Sequence, residues 1–437
     1  MTDYANRRVL IVGAGKSGLA AARFLRARGA KVVFSDNRTP GNDEDFPMIG
    51  QSEIDGDGFD LLIQSPGVPL ELPIFERARA RGARIMGELE LAAEELRGHI
   101  IGITGANGKT TTTALTGHIF QHAGRHTLIG GNIGVPITDL VAQSTPDTAV
   151  VLELSSFQLE TVETFRAEIA LVLNITPDHL DRHFTMQRYI DAKARLVELQ
   201  TANGFTVLNA AEPNARALAS RTKAKVVWFN LDAPALNGVA RAEDSVWLGP
   251  EKLMPVADIP LPGRHNVENV MAAAAAAWLA GIAPSTIADA VGSFPGVEHR
   301  IEFVREIDDV RYYNDSKATN VDAAEKAIDA FPGGLWIILG GKDKHSDYRP
   351  LAPRLAAKAK GILTIGAAAP IIRQHLTEVN PSLPLTDCDT LDVAIRTARR
   401  LAAPGDIVLL SPACASFDQY QSYEHRGRSF KDLVRSL

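Results

Sequence analysis

The densest chemistry lies in Thr104-Gly105-Ala106-Asn107-Gly108-Lys109-Thr110, with Thr111 following. The segment comes after the β-branched run Ile100 to Thr104 and before a helix-forming stretch. A glycine-bearing turn between strand and helix can wrap phosphate oxygens with successive backbone N–H groups. Its lysine can reach the β- and γ-phosphates, and its threonine hydroxyl can ligate Mg²⁺. A P-loop usually has a glycine five residues before the position of Gly108, and Ile103 stands there, so this loop is a variant. ATP or GTP is the expected occupant; a structural turn is the alternative. A second turn, Gly13-Ala14-Gly15-Lys16-Ser17-Gly18, matches G-x-G-x-x-G, with Asp36 at the end of the next strand. It could hold a nicotinamide dinucleotide or another nucleotide diphosphate, Asp36 taking the ribose hydroxyls. It could equally be a tight packed turn, with Asp36 as a turn residue or helix cap.

Further candidates sit where strands should end. Glu153 closes the run Val150 to Leu154, where a second metal ligand near a P-loop belongs. Asp178, His179, Asp181 and His183 follow another strand, after Pro177. His179 and His183 are spaced i, i+4 and share a face if a helix continues through them. No H-E-x-x-H is present and magnesium prefers oxygen, so spacing alone favours a hydrogen-bonding role here. Lys193, in Tyr189-Ile-Asp-Ala-Lys193-Ala-Arg195, reads as a surface helix lysine.

Three polar loops end three later strands: Asn314 to Asn320, Gly340 to Lys344, and Ser411 to Tyr420. They should converge on one crevice holding lysines, serines and an aspartate. Cys414 invites a thiol nucleophile, but no histidine is paired with it by sequence, and a buried free cysteine is the favoured reading.

These loops need a scaffold of parallel strands and crossover helices. Short β-branched runs alternate with helical stretches, a rhythm that restarts after Arg97 and near Arg300. At roughly 150 residues per domain, 437 residues make about three domains. The expectation is α/β throughout: a Rossmann-like domain over 1–93, a central P-loop-type ATPase domain with a mostly parallel sheet over 94–298, and a Rossmann-like domain over 299–437. Composition is that of a soluble globular chain, 45% hydrophobic and 22% charged, with a net charge of −6. Net charge gives no grip on nucleic acid or an anionic membrane. Two cysteines exclude a disulfide scaffold. The longest apolar run, Val270 to Ile282, is shorter than the roughly 20 residues of a membrane span and reads as a buried helix. A cytoplasmic monomer with small-molecule substrates, no nucleic acid and no membrane insertion is expected.

Taken together, these motifs resemble the Mur ligases of peptidoglycan synthesis. Those that carry the resemblance are Thr104 to Thr110, Gly131-Asn-Ile-Gly134, Glu153 to Glu160, Asp178-His-Leu-Asp181, Gly263-Arg-His-Asn266, His299-Arg300, Asn314 to Asn320 and Ser411 to Gln419, spread over nearly the whole chain. The segments N-D-S-K-A-T-N and S-P-A-C-A-S resemble the branch that adds D-glutamate. The resemblance implies ATP-dependent amide ligation through an acyl phosphate, joining D-glutamate to UDP-N-acetylmuramoyl-L-alanine. It implies UDP in the first domain, held by Lys16, Ser17, Asp36, Asn37, Arg38, Ser65 and Gly67, with Asn132 and Gly134 on the muramoyl portion. Family members commonly have threonine where Asn37 stands. ATP would lie on Thr104 to Thr111, with Asn266 and Asn269 on the adenine side. Arg300 would steady the γ-phosphate, with Asp315 and Lys317 nearby. Two magnesium ions are implied on Thr110, Glu153, His179 and a carbamylated Lys193. Thr319, Lys344, Ser416 and Tyr423 match positions that hold D-glutamate.

A nicotinamide-dependent oxidoreductase is one alternative, but it leaves the Lys109 loop unexplained. A nonenzymatic nucleotide switch is another, but it leaves the three polar loops idle.

Overall fold

Val9 and Ile11 point to one side of their strand and Leu10 and Val12 to the other, and all four are fully buried. Such doubly buried strands belong to parallel sheets covered on both faces. The computed structural model of the chain describes residues 3–36, 46–50, 58–344 and 346–437, with the backbone alone at Asp181. It has three α/β domains, each built on its own sheet.

The first sheet comprises β1 (Arg8–Val12), β2 (Lys31–Asp36), β3 (Met48–Gly50), β4 (Leu61–Gln64) and β5 (Arg84–Gly87). Its order is β3-β2-β1-β4-β5 and every pairing is parallel. The second comprises β6 (His99–Thr104), β7 (Thr127–Gly131), β8 (Ala149–Glu153), β9 (Ile169–Val172), β10 (Phe205–Asn209), β11 (Lys225–Leu231), β12 (Gly238–Ala242), β13 (Ser245–Leu248) and β14 (Glu251–Pro255). The order is β14-β13-β12-β11-β10-β9-β6-β8-β7, parallel except for β12–β13 and β13–β14. The third comprises β15 (Glu302–Ile307), β16 (Val310–Asn314), β17 (Leu335–Gly340), β18 (Ala359–Ile365), β19 (Leu385–Asp389) and β20 (Ile407–Leu410). Its order is β15-β16-β20-β17-β18-β19, with β15 alone antiparallel.

By compactness the chain forms two units. The first is Met1–Ile259 with Val267–Phe294; the second is Pro260–Asn266 with Pro295–Leu437. In the first unit one apolar core runs from Val9, Ile11 and Met86 through Leu152, Val172 and Tyr189, so the first two sheets share it. In the second unit the faces of β17 and β20 split two cores, Ile337, Leu339 and Leu409 on one side and Ile338, Val408 and Leu410 on the other. Each fully buried leucine or isoleucine of this kind contributes roughly 1.5–3 kcal/mol. The alanine-rich run is a helix, Arg264–Leu279, with Ala272 to Ala277 completely buried, as its length requires. Among the described residues no helix is long and apolar enough to cross a membrane.

Sequence reading missed the short or polar edge strands β3, β5, β14, β15 and β19. Edges pair on one side only, so residues such as Glu251, Lys252, Thr386 and Asp387 suffice there and hide the strand period.

Candidate active site

Strand order in the first sheet reverses between β2 and β4 around β1, and a crevice at the carboxyl ends of the strands follows from that switch. A cavity of about 590 Å³ lies there. Lys16, Ser17, Asp36, Ser65, Gly67 and Asn132 all line it. Gly18 has no room for a side chain, since a Cβ would sit 2.1 Å from the Gly13 carbonyl oxygen. The Asp36 carboxylate accepts the Ala14 N–H at 2.6 Å, so it braces the loop rather than ending in an exposed turn. Lys16 reaches the Gly134 carbonyl from the helix Lys16–Arg26. Asn37 and Arg38 lie outside the described residues.

Thr104 to Thr111 joins β6 to the helix Lys109–His122. Gly108 is left-handed, with φ +83°, and a Cβ there would meet Asn269 Oδ1 at 2.3 Å. Asn269 Oδ1 also accepts the Thr112 hydroxyl at 3.3 Å, which sets Asn269 against the loop. Asn107 N donates to Asn174 Oδ1 at 2.8 Å, and Asn174 Nδ2 donates back to Asn107 O at 3.1 Å. Lys109 Nζ folds over its own loop, donating to Gly105 O at 2.8 Å and Ala106 O at 2.9 Å.

Glu153 ends β8 and is 2% exposed. Asn132 Nδ2 donates to its Oε1 at 3.0 Å, while Oε2 is buried with no hydrogen-bond partner among the described residues. A solvated strand-end glutamate is therefore excluded. A leftover carboxylate oxygen beside a phosphate-type loop is the donor a hard divalent cation takes. Among the described residues no group of three or more His, Cys, Asp or Glu could hold a metal.

The shared face expected for His179 and His183 is not formed. The helix is a single turn, Leu180–His183, and His179 precedes it in a left-handed conformation with φ 53°. His179 is exposed, with its ring against Phe157. His183 is buried, stacked on Phe157 and paired through Nε2 with the Ser156 hydroxyl at 2.8 Å. Burial holds the His183 ring to a pKa of about 4, reinforced by Arg182. It is therefore a neutral structural histidine at physiological pH.

Lys193 is the larger correction. It lies on the helix Met186–Glu198 but is only 1% exposed. Its Nζ donates to Gly105 O at 2.9 Å and Thr104 Oγ1 at 3.3 Å. Burial, and secondarily the Lys109 charge, lower its pKa well below the ordinary lysine value. The turn of the helix, not the loop sequence, brings it under the P-loop.

In the second unit, Arg300 is half-buried and lies between two left-handed residues, His299 (φ 65°) and Ile301 (φ 44°). For a β-branched residue that backbone is strained, and such strain concentrates at functional turns. Asp315 is buried, accepting the Ser411 hydroxyl at 2.8 Å and the Ile301 N–H at 3.3 Å; burial pushes its carboxyl up to about 7. Lys317 and Thr319 follow on the same loop, bonded through backbone to His299 and to each other. Lys344 is exposed, Ser416 buried, and Tyr423 starts the helix Tyr423–Arg435. Asn266 Nδ2 donates to Pro262 O at 2.7 Å. Cys414 is a buried structural thiol bonded to the Tyr348 hydroxyl at 3.0 Å, and burial pushes its pKa up to about 11.

Two residues escaped the sequence reading. Asn174, two residues beyond β9, braces the P-loop, as described above. Arg426, 1% exposed, lies in the middle of the second unit's loops. Its signal was available: Arg426, Phe430 and Val434 repeat every four residues on one helix face.

Three family models match the chain: "Mur ligase MurD-like, N-terminal domain" over 7–87, "Mur ligase middle domain" over 103–277, and "Mur ligase, glutamate ligase domain" over 299–414. Curated relatives named UDP-N-acetylmuramoylalanine–D-glutamate ligase include one from Solibacter usitatus, 52% identical and covering 98% of each chain. Another, from Acidobacterium capsulatum, is 50% identical over 99% of this chain and 97% of its own. Among solved structures, UDP-N-acetylmuramate-alanine ligase from Thermotoga maritima matches with a TM-score of 0.62 at 17% identity, covering 98% and 99% of the two chains. UDP-N-acetylmuramoylalanyl-D-glutamyl-2,6-diaminopimelate–D-alanyl-D-alanyl ligase from Acinetobacter baumannii matches at 0.60 and 16%, covering 99% and 91%. At these identities the structural matches speak for the fold alone.

Proposed function

The chain belongs to the Mur ligase family, and on that premise we propose that it is the ATP-dependent ligase that joins D-glutamate to UDP-N-acetylmuramoyl-L-alanine. In this reading residues 1–93 hold the UDP-sugar, 94–298 the ATP, and 299–437 the amino acid. One observation carries it. Asn132 lines the 590 Å³ cavity and also donates to Glu153, which ends the strand beside the P-loop. A nucleotide sugar seated in the cavity extends toward the P-loop through Asn132, so its carboxylate end can meet a γ-phosphate.

The chemistry follows. A carboxylate is a poor electrophile, so its oxygen attacks the γ-phosphorus, forming an acyl phosphate and releasing ADP. The amine of D-glutamate then attacks the acyl carbon, the amide forms, and phosphate leaves with the carbonyl's former partner oxygen. Lys109 exchanges the Gly105 and Ala106 carbonyls for phosphate oxygens, and Arg300 adds a second cation to the transferred group. Asn269, which lies beside Gly108, would reach the adenine, and Asn266, Asp315 and Lys317 would be further nucleotide contacts in this reading. Lys16, Ser17, Asp36, Ser65 and Gly67 hold the uridine diphosphate. Thr319, Lys344, Ser416 and Tyr423 take the carboxylates of D-glutamate.

Thr110, Glu153 and His179 are the residues that would hold magnesium, which would supply charge neutralisation at the phosphoryl oxygens. The Glu153 oxygen that lacks a hydrogen-bond partner among the described residues supports that assignment. A second ion would need a further anionic ligand, which Lys193 would supply as a carbamate. Its amine is buried and burial lowers its pKa, which favours the deprotonated, nucleophilic form. CO₂ addition to the deprotonated amine would form an N–C bond and release one proton, so an uncharged amine would become an anion.

The test is phosphate release from ATP and magnesium with UDP-N-acetylmuramoyl-L-alanine, supplied with D-glutamate, with L-glutamate, or with neither. Release only with D-glutamate is expected. Release only with L-glutamate would overturn the stereochemistry and keep the ligase chemistry. Silence in all three mixtures, from protein that binds ATP, would overturn the substrate assignment.

A further inference from the structure

Arg426 is among the largest fully buried side chains of the protein. An arginine has five N–H donors in a fixed planar fork. All five are used here. Nε donates to Ser316 Oγ at 3.0 Å. One terminal nitrogen donates to Gly340 O at 3.4 Å and Ala415 O at 3.3 Å. The other donates to Ser316 O at 2.9 Å and Cys414 O at 3.1 Å.

These five acceptors come from three separate loops. Ser316 follows β16, Gly340 ends β17, and Cys414 and Ala415 follow β20. The strands are neighbours in the sheet, in the order β16-β20-β17. Four of the acceptors are backbone carbonyls, so the guanidinium fixes the path of the chain and not merely a side chain. Ser316 Oγ in turn donates to Tyr423 O at 2.8 Å, three residues before Arg426, which closes the arrangement. The charge stays on. Burial lowers the Arg426 pKa only to about 10, and the carbonyl dipoles together with the Asp418 and Asp315 charges compensate it.

On the reading given above, the groups that hold the amino acid lie on these same loops: Thr319, Lys344 and Ser416, with Tyr423 at the head of the Arg426 helix. We propose that Arg426 is a positioning residue for the amino-acid substrate, tying the three strand-end loops into one cradle without touching the substrate itself. Lysine cannot replace it. An ammonium has three donors at a point, and it cannot span acceptors on both sides of a planar fork.

The experiment uses the full-length protein and varies each substrate separately. Arg426→Lys keeps the charge and loses the fork. Its KM for D-glutamate should rise about 10- to 100-fold, the scale of an ångström-level displacement. The affinity for UDP alone, read by calorimetry, should stay within about twofold, since the cavity of the first unit is untouched. An unchanged KM for D-glutamate in folded Arg426→Lys protein would overturn the proposal, and so would an equal loss of UDP affinity. If Arg426→Lys does not fold, Ser316→Ala decides, because it removes one acceptor and leaves the arginine. A several-fold rise in the same KM supports the cradle, and none overturns it. The wild-type protein separates this from the reading it rests on. Wild-type activity with D-glutamate upholds that reading whatever Arg426 does. Wild-type inactivity with D-glutamate overturns both.

Discussion

Around Gly105 two lysine side chains converge on one carbonyl oxygen, and the nearby strand-end Glu153 has an oxygen with no hydrogen-bond partner among the described residues, whereas around Arg426 five donors meet five acceptors. Both regions are polar, buried and placed at strand ends, so burial alone does not separate them. Satisfaction does. A buried polar atom without a partner costs roughly 1–3 kcal/mol, and a fold keeps such an atom where something else completes it. In the proposed reading, phosphate and metal would complete the first region. The Arg426 guanidinium is satisfied without a ligand, which suits the positioning task proposed for it.

The largest effect that could break this contrast is at Lys109. If its carbonyl bonds are a resting arrangement that phosphate displaces, Lys109→Ala should lower turnover by about 10²–10³-fold or more while leaving the fold intact. Phosphate release by protein with an unchanged circular dichroism spectrum measures it. Normal turnover would make the loop a structural turn and remove the contrast.

Next comes Lys193. It lies under the P-loop, sharing Gly105 O with Lys109, and burial lowers its pKa, which favours the deprotonated amine that takes up CO₂. Wild-type protein freed of CO₂ and bicarbonate should lose activity several-fold and regain it on adding bicarbonate. Lys193→Ala should lose about 10²-fold and show no bicarbonate response, since one anionic metal ligand is gone. Activity indifferent to bicarbonate in both proteins would leave Lys193 a buried amine with a packing role.

Much of the site was legible because glycine turns after β-branched runs announce themselves locally. The Gly13 and Gly105 loops, Glu153 at its strand end and the three loops of the second unit all lie where the alternation of strand and helix put them. What escaped was tertiary. Lys193 read as a surface residue because lysine usually is one, yet Tyr189, Lys193, Leu196 and Val197 occupy one buried helix face. Its burial depends on the P-loop that covers it, which lies nearly ninety residues earlier in the chain. Arg426 was hidden the same way, on a face with Phe430 and Val434. His179 and His183 misled in the opposite sense. Their spacing promised a common face, but the helix is a single turn and His179 stands outside it.

The smallest effect sharpens the comparison from the side of the second unit, because one group there is not fully at rest. Asp315 has its hydrogen bonds, from Ser411 and Ile301, but burial still raises its pKa from 3.8 to about 7. A carboxyl whose folded pKa is raised binds its proton more tightly in the folded state. Its contribution to stability is therefore complete below about pH 4, is lost as pH rises from about 4 to 7, and is absent above. Asp315→Asn cannot ionise, keeps an acceptor for Ser411, and should escape that loss. The variant should match the wild type near pH 4 and exceed it by about 2–4 kcal/mol at pH 8, following the linkage between pKa and stability. Denaturant-dependent hydrogen exchange of peptides from residues 300–437 reads this unit by itself. If both proteins lose stability in parallel between pH 4 and 8, Arg300 and Arg426, the two cations whose charges lower the Asp315 pKa, offset the burial in full, and the second unit is then as settled at Asp315 as it is at Arg426.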